Sequence, residues 1–554
     1  MKKYINRAAT LLVAISVIFT VGWMSVNDSQ FLLKVYTGID MFSRVYKEIA
    51  LNYVEDIDPE RFARAGVDGM LRTLDPYTVY IGEKEGDELE LVTSGKYGGI
   101  GVSIGLRDGN IIILNLLEGY SAAKQGIQVG DRILEVDGKS VAGKSLEDIR
   151  LLVRGAPGTE IKLTIEREGE KKPLEFVLLR EEIPVRNITY IGYVEKGIGY
   201  IRLERFSRTA GEDMRNAIKD LKARGELNGL ILDLRDNPGG LLEVAVEVVS
   251  KFVPESSLVV STKGRKRESE RKYYSTEIPM ASGVPLAVLV NRNSASASEI
   301  VAGAIQDLDV GVIVGTRTFG KGLVQTISRF SENSSLKITT ARYYTPSGRC
   351  IQEIDYSKRG TDGTIISTPD STKRIFHTAH NRLVREGGGI YPDSTVTDST
   401  RNTYLDELSR KGMFFKFANN YAVKIKTLPE NFDVTDAMIE DFKKFLQEKG
   451  FEYLEESEIR LKELREIAKA SSYDKAFYEG ISKLEALVQT EKERQANRCK
   501  EELRDALRAE ILNRLKGEKA RIEASLPRDQ QVRVAIGILK NKAVYNSLLE
   551  TKKK

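Results

Sequence analysis

An apolar strand, a tight turn and a helix recur twice in the middle of this chain, and that repeat restricts the fold more than any other feature. Gly229-Leu230-Ile231-Leu232-Asp233-Leu234 reads as a buried strand, followed by the turn Arg235-Asp236-Asn237-Pro238-Gly239-Gly240 and a helix from Leu241. Pro285-Leu286-Ala287-Val288-Leu289-Val290 is a second such strand, with a turn over 291–296, a helix over 298–306 and a third strand over 310–314. Upstream, Gly199-Tyr200-Ile201-Arg202-Leu203 is a strand and 211–224 a helix. Strands alternating with amphipathic helices build α/β units, so residues 183–396 are predicted to form an α/β domain. Ligands of open α/β sheets sit where strand ends turn into helices, which directs attention to the two turns.

The flanking segments have other periods. Residues 96–182 carry short strands with glycine punctuation at 100–104, 111–114, 132–136 and 161–167, one helical turn at 121–126, and a capped amphipathic helix at 145–153. This is the pattern of a small α+β module. Residues 28–95 read as a helical lead-in, with Ile39, Phe42, Val45 and Ile49 at helical spacing, stopped at Leu74-Asp75-Pro76 because proline disfavours helix in the residue before it. Residues 397–554 are rich in Lys, Glu and Arg and carry stripes such as Leu503, Leu507, Ile511 and Leu515. They are expected to be a packed helical extension with solvated faces, or to offer a homo-oligomer contact or an adaptor-docking surface.

Lys2, Lys3 and Arg7 precede an uncharged apolar run from Ala8 to Val26, which is about the length that spans a bilayer. Positive residues ahead of the run place the N-terminus in the cytoplasm and the rest of the chain outside it. Residues 1–27 are therefore expected to export the protein to the periplasmic side of the cell envelope, either retained as an inner-membrane anchor or removed as a signal peptide.

Composition narrows the chemistry. With 85 Lys plus Arg against 80 Asp plus Glu, the net charge of +5 gives no electrostatic case for a nucleic-acid partner. The chain has two histidines, His377 and His380, and two cysteines, Cys350 and Cys499, so a Cys-rich zinc site is excluded. Any Ser-His-Asp triad or His-rich metal site has to use His377 or His380, which stand in a polar stretch and read as surface residues. A catalytic base falls instead to Lys, Asp, Glu or Tyr, and no metal or cofactor is expected.

Two turns can carry that chemistry. Ser294-Ala295-Ser296-Ala297-Ser298-Glu299 sets serines on a strand-to-helix turn among small residues, where a hydroxyl can be exposed as a nucleophile beside helix N–H groups. The competing use is helix capping, since Ser296 with Glu299 has capping-box spacing and Ser298 can also cap. Gly315-Thr316-Arg317-Thr318-Phe319-Gly320-Lys321-Gly322 has the spacing of a phosphate loop up to its lysine, but Gly322 stands where Ser or Thr would hold magnesium and residues 323–327 continue as strand. Lys321, flanked by glycines, suits a desolvated neutral amine, and Gln325 falls on its face of the strand, placed to orient it.

The module at 96–182 carries a glycine-rich entry, Gly98-Gly99-Ile100-Gly101-Val102, then Ser121-Ala122-Ala123, then Val129-Gly130-Asp131-Arg132-Ile133-Leu134-Glu135-Val136-Asp137-Gly138. In this order the motifs resemble bacterial PDZ domains. Backbone N–H groups of such a turn can hold a terminal carboxylate, and the strand that follows can pair with a peptide against the 145–153 helix.

Taken with Leu74-Asp75-Pro76-Tyr77-Thr78, the two turns, Tyr344-Thr345-Pro346-Ser347-Gly348-Arg349 and Gly388-Gly389-Ile390-Tyr391-Pro392-Asp393, the chain over about 40–395 resembles the carboxyl-terminal processing peptidases, or tail-specific serine proteases. Tyr77 stands where many relatives carry histidine. The resemblance implies a crotonase-like spiral of βαβ units, Ser296 as nucleophile, Lys321 as general base and Gln325 as its positioner. It further implies an oxyanion hole made by the N–H of Ala297 and that of Gly239 or Gly240, no cofactor, and protein or peptide substrates held by their free apolar C-termini in the PDZ module. A non-catalytic PDZ scaffold is the alternative, and it would bind tails without shortening them.

Overall fold

The structure, a computed structural model, describes residues 30–82, 95–265, 269–331, 334–356, 373–397, 402–425, 428–429 and 432–550. The apolar run at 8–26 lies outside the described residues. Among the described residues no helix is long and apolar enough to cross a membrane. The chain divides into two compact units, residues 1–80 with 336–338, and residues 81–335 with 339–554.

In the first unit one helix runs over 30–52 and a second over Pro59–Leu71. The second starts where the Asp58 carboxylate accepts the N–H groups of Glu60 and Arg61 and Pro59 supplies a preset φ at the first turn. Tyr46 stacks on Phe62 at 5.4 Å between ring centroids and donates its hydroxyl to the Pro59 carbonyl, joining the two helices. The predicted stop at Leu74-Asp75-Pro76 is a turn in which Asp75 accepts from the N–H groups of Tyr77 and Thr78. The stripe of Ile39, Phe42 and Val45 has helical spacing but stays exposed, at 60%, 43% and 53%. Period sets which residues share a face, whereas burial needs a facing surface.

In the second unit, strands Val102–Arg107, Asn110–Leu116, Arg132–Val136, Glu160–Glu166 and Leu174–Leu179 form one antiparallel sheet in that order. Their inward side chains, among them Ile113, Ile133 and Leu163, pack with Ile149 and Val153 of the helix Leu146–Val153. Ser145 caps that helix and Asp148 completes a reciprocal capping box. The segments leading in and out, Lys96–Gly99 and Glu181–Pro184, pair antiparallel with each other.

The second sheet of this unit has the order Ile188–Glu195, Ile198–Leu203, Gly229–Asp233, Leu286–Val290, Val312–Gly315 and Ser394–Thr395. Its first pair is antiparallel and the rest are parallel, with Leu232 opposite Val288 and Val288 opposite Ile313. Helices Ala210–Arg224, Leu242–Val249 and Ala297–Asp307 cover one face, where Ile201, Leu232 and Val288 are fully buried.

The other face is covered by the end of the chain. Tyr200, Ile231, Ala287 and Leu289 pack against Val532, Ala535 and Leu539 of the helix Gln530–Lys540 and Tyr545 of the helix Lys542–Leu549. Each large apolar side chain so buried contributes roughly 1.5–3 kcal/mol, so these two helices are part of the core and not an appendage to it. Leu503, Leu507 and Ile511 are buried in a separate cluster against Phe414, Phe417 and Phe442, so the predicted stripe is spent on an internal helical core. The helices Glu456–Ala470 and Lys475–Arg498 differ, burying only Ala468 and Ile481 respectively.

Candidate active site

The serine turn and the glycine turn before it lie side by side because their strands are neighbours in the parallel sheet. The Asn237 carbonyl accepts from the Ala295 N–H at 3.0 Å and from the Ser298 hydroxyl at 2.9 Å, and the Ser294 hydroxyl donates to the Leu234 carbonyl at 2.8 Å. Ser294 and Ser298 are fully buried by these contacts, whereas Ser296 is half-buried. Ser296 also has φ 56° and ψ −114° at the head of the helix Ala297–Asp307. A non-glycine residue in such a region costs on the order of 1–3 kcal/mol and persists only where its surroundings hold it.

Glu299 provides part of that hold. Its fully buried carboxylate accepts four hydrogen bonds, from the Thr318 hydroxyl at 2.6 Å and from the N–H groups of Gly320 at 2.7 Å, Lys321 at 2.9 Å and Ser296 at 2.8 Å. The capping spacing read from the sequence is therefore present in the Glu299-to-Ser296 half, and the same carboxylate also ties down the lysine turn. Burial pushes the Glu299 carboxyl up to about 7, against the downward pull of its four donors.

Lys321 follows Gly320, whose φ of 89° and close approach to Glu353 leave no room for a side chain. Thr318 pairs with Ile390 through both its backbone N–H and its hydroxyl, so Gly388-Gly389-Ile390 forms the floor of the lysine turn. Gln325 lies in the strand Leu323–Ser331, and its amide donates to the Thr339 hydroxyl at 3.2 Å. The motif Tyr344 to Arg349 grips the far end of the serine helix. Thr345 donates to Asp307 at 2.5 Å, and the buried Arg349 guanidinium donates to Asp307 at 2.8 Å and Gln306 at 2.7 Å.

The two candidate glycines have different roles. The Gly239 N–H donates to Asn237 Oδ1 at 2.8 Å, and a Cβ at Gly239 would come within 2.8 Å of the Ala297 nitrogen. Gly240 is exposed, and among the described residues its N–H has no hydrogen-bond acceptor. Behind this turn, Arg235 donates to Asp233 from its backbone N–H, Nε and Nη2, and the same carboxylate also accepts the Tyr200 hydroxyl at 2.5 Å. Burial works to raise the Asp233 carboxyl, but the Arg235 guanidinium and these hydrogen bonds hold it below its usual value.

In the small antiparallel sheet, Val102–Arg107 is an edge strand that faces the helix Leu146–Val153. Gly98 and Gly99 belong to the pairing segment before it, Ile100 is buried, and Gly101 turns the chain at φ 81° against Tyr120. His377 and His380 are exposed, and no metal-holding cluster of His, Cys, Asp or Glu occurs among the described residues.

The sequence model of Peptidase family S41 matches residues 197–361, which contain both turns. The Carboxy-terminal-processing protease of Bartonella bacilliformis is 37% identical over 356 residues, which cover 64% of this chain and 81% of that protein. The chain belongs to peptidase family S41. A PDZ domain model matches residues 88–166, ahead of the peptidase segment. A helical domain described as the C-terminal part of a PDZ-protease matches 404–539. Carboxy-terminal processing protease CtpB of Bacillus subtilis is 34% identical, covering 60% of this chain and 68% of that one. Among solved structures, the photosystem II D1 C-terminal processing protease is 28% identical over 65% of this chain and 88% of that one, with a TM-score of 0.35. A PDZ domain of a carboxy-terminal protease from Vibrio cholerae in complex with peptide is 32% identical over 16% of this chain and 97% of that one, with a TM-score of 0.15.

Sequence reasoning missed two residues of this S41 site. From the sequence Glu299 reads as a capping residue, although a lone acid in an otherwise apolar helix start is a signal. Tyr343, which contacts both turns, carried no local signal.

Proposed function

We propose that this chain is a serine endopeptidase that uses Ser296 and Lys321 as a dyad to cleave exported proteins near their C-terminal tails. The observation that carries this is the single buried carboxylate of Glu299 joining the Ser296 and Lys321 turns, with Ser296 alone of the three serines left open at the helix head. Neutral Lys321 takes the proton of the Ser296 hydroxyl as Oγ attacks the substrate carbonyl carbon. The ammonium then protonates the leaving amine as the C–N bond breaks, and water releases the acyl group by the same steps in reverse order. Gln325 orients the lysine amine.

The tetrahedral oxyanion is received by the Ala297 N–H and the Gly240 N–H, because the Gly239 N–H is already committed to Asn237. One such donor is worth roughly 3–4 kcal/mol in the transition state. The substrate's carboxyl terminus enters at Gly98 to Val102 and adds a strand to the open edge at Val102–Arg107. The βαβ units follow a crotonase-like spiral, residues 1–27 direct export and hold or release the protein at the periplasmic face of the inner membrane, and the hairpin at 456–498 is the surface for a second copy or an adaptor.

The test is substitution in the purified protein. Ser296→Ala and Lys321→Ala are each expected to abolish cleavage of an unfolded protein while leaving the circular dichroism and melting temperature in place. Retained turnover in Lys321→Ala contradicts the dyad.

A further inference from the structure

Glu299 holds the N–H groups of Ser296 and Lys321, and a second residue meets their carbonyls. The Tyr343 phenolic oxygen lies 3.1 Å from the Ser296 carbonyl oxygen and 2.5 Å from that of Lys321. Its ring is 1% exposed, packed in the main core beneath the sheet helices. Its backbone N–H donates to the Gly322 carbonyl at 3.0 Å, so the residue is anchored to the lysine turn before its side chain reaches across.

We propose that the Tyr343 hydroxyl is a positioning group for the dyad, which rests on the serine-lysine reading above. A phenol has one proton to give, and here two carbonyls from different turns compete for it. Sharing it between them sets the distance between the turns. The same contact meets the carbonyl of Ser296, whose backbone angles are unfavourable without support from outside. Glu299 and Tyr343 thus hold opposite ends of the same two residues: an acceptor for both N–H groups, and a donor for both carbonyls. Glu299 sits on the serine helix and Tyr343 on the strand Ser334–Tyr344 that flanks the lysine turn, so each reaches from one side to the other.

Tyr343→Phe removes one oxygen and keeps the buried ring. Cleavage of an unfolded reporter by the full chain is expected to show kcat lowered about 10- to 100-fold, since small misplacements of catalytic groups have effects of that size. KM is expected to stay near the wild-type value because the substrate contacts do not change, while the melting temperature falls modestly because two carbonyls lose their buried donor. Incorporating 3-fluorotyrosine at 343, a donor of nearly the same shape, is expected to restore most of the rate.

Wild type and Ser296→Ala run alongside. An inactive wild type, or an active Ser296→Ala, defeats the serine-lysine reading itself. An active wild type with unchanged kcat in Tyr343→Phe overturns the positioning role alone. If the phenylalanine protein fails to fold, incorporation of 4-fluorophenylalanine at 343, which fills the space of the hydroxyl with an atom that cannot donate, decides, and an unchanged kcat there overturns the proposal.

Discussion

Arg235 Nη1 donates to Asp529 Oδ2 at 2.7 Å, which connects the glycine turn of the active site to the cap of the helix Gln530–Lys540 near the far end of the chain. The same Asp529 carboxylate accepts the Val532 N–H and so starts that helix. Asp529→Ala is therefore expected to lose a cap and half of a partly buried ion pair. Together these lower unfolding free energy by about 1–3 kcal/mol, read from urea midpoints. Asp529→Asn keeps the cap, so any fall in kcat that it shows at unchanged stability reports on the Arg235 contact.

Removing residues 530–554 uncovers Tyr200, Ile231, Ala287 and Leu289 on one face of the central sheet. The truncated protein is expected to be insoluble or to unfold without a cooperative transition. Replacing 456–498 by a short linker removes helices that bury only Ala468 and Ile481 and is expected to leave a sharp melt. Calorimetry of the two proteins separates a core layer from a surface hairpin.

The Glu299 carboxyl is raised to about 7 when folded against an ordinary 4.5. The folded state thus holds a proton that the unfolded state has released between those values. Its contribution to stability is present below about 4.5 and is lost as pH rises through about 7, a change on the order of 3 kcal/mol. Glu299→Gln is expected to flatten that part of the stability profile. Activity has the opposite slope, rising through about 7, because only the ionised carboxylate accepts from all four donors. The amide of Glu299→Gln places N–H groups against them, and kcat is expected to fall about 100-fold.

Gly239→Ala places a methyl group 2.8 Å from the Ala297 nitrogen at a position with φ 99°. The shift it forces displaces the Ala297 N–H, an oxyanion donor in the proposed mechanism, so kcat is expected to fall about 100- to 1000-fold. Labelling of Ser296 by a fluorophosphonate, which needs the same donors, is expected to slow in parallel.

The strand-turn-helix repeat was legible because its signals are local: a run of β-branched and aliphatic residues, then Asn-Pro-Gly-Gly or small serines, then a helix. Ser296, Lys321 and the glycine turn could be picked out for the same reason. What escaped is long-range. The cover of the second sheet face by Val532, Ala535 and Leu539 comes from residues hundreds of positions from the strands, and their amphipathic pattern does not name a partner. Glu299 is legible as a cap, but its bonds to Thr318, Gly320 and Lys321 need the fold to bring the second turn across. The choice between Gly239 and Gly240 depends on a side-chain contact to Asn237 that no spacing encodes. The exposed stripe of Ile39, Phe42 and Val45 shows the converse, a clear period without the burial it suggests.

The central claim, serine-dependent cleavage directed by a free C-terminus, is tested most directly by mass spectrometry of an unfolded reporter with an apolar tail. It is incubated with the wild-type protein and with Ser296→Ala, once with a free and once with an amidated C-terminus. The expected result is fragments near the tail from wild type alone, lost when the tail is amidated. Fragments from Ser296→Ala, or equal cleavage of the amidated reporter, contradict it.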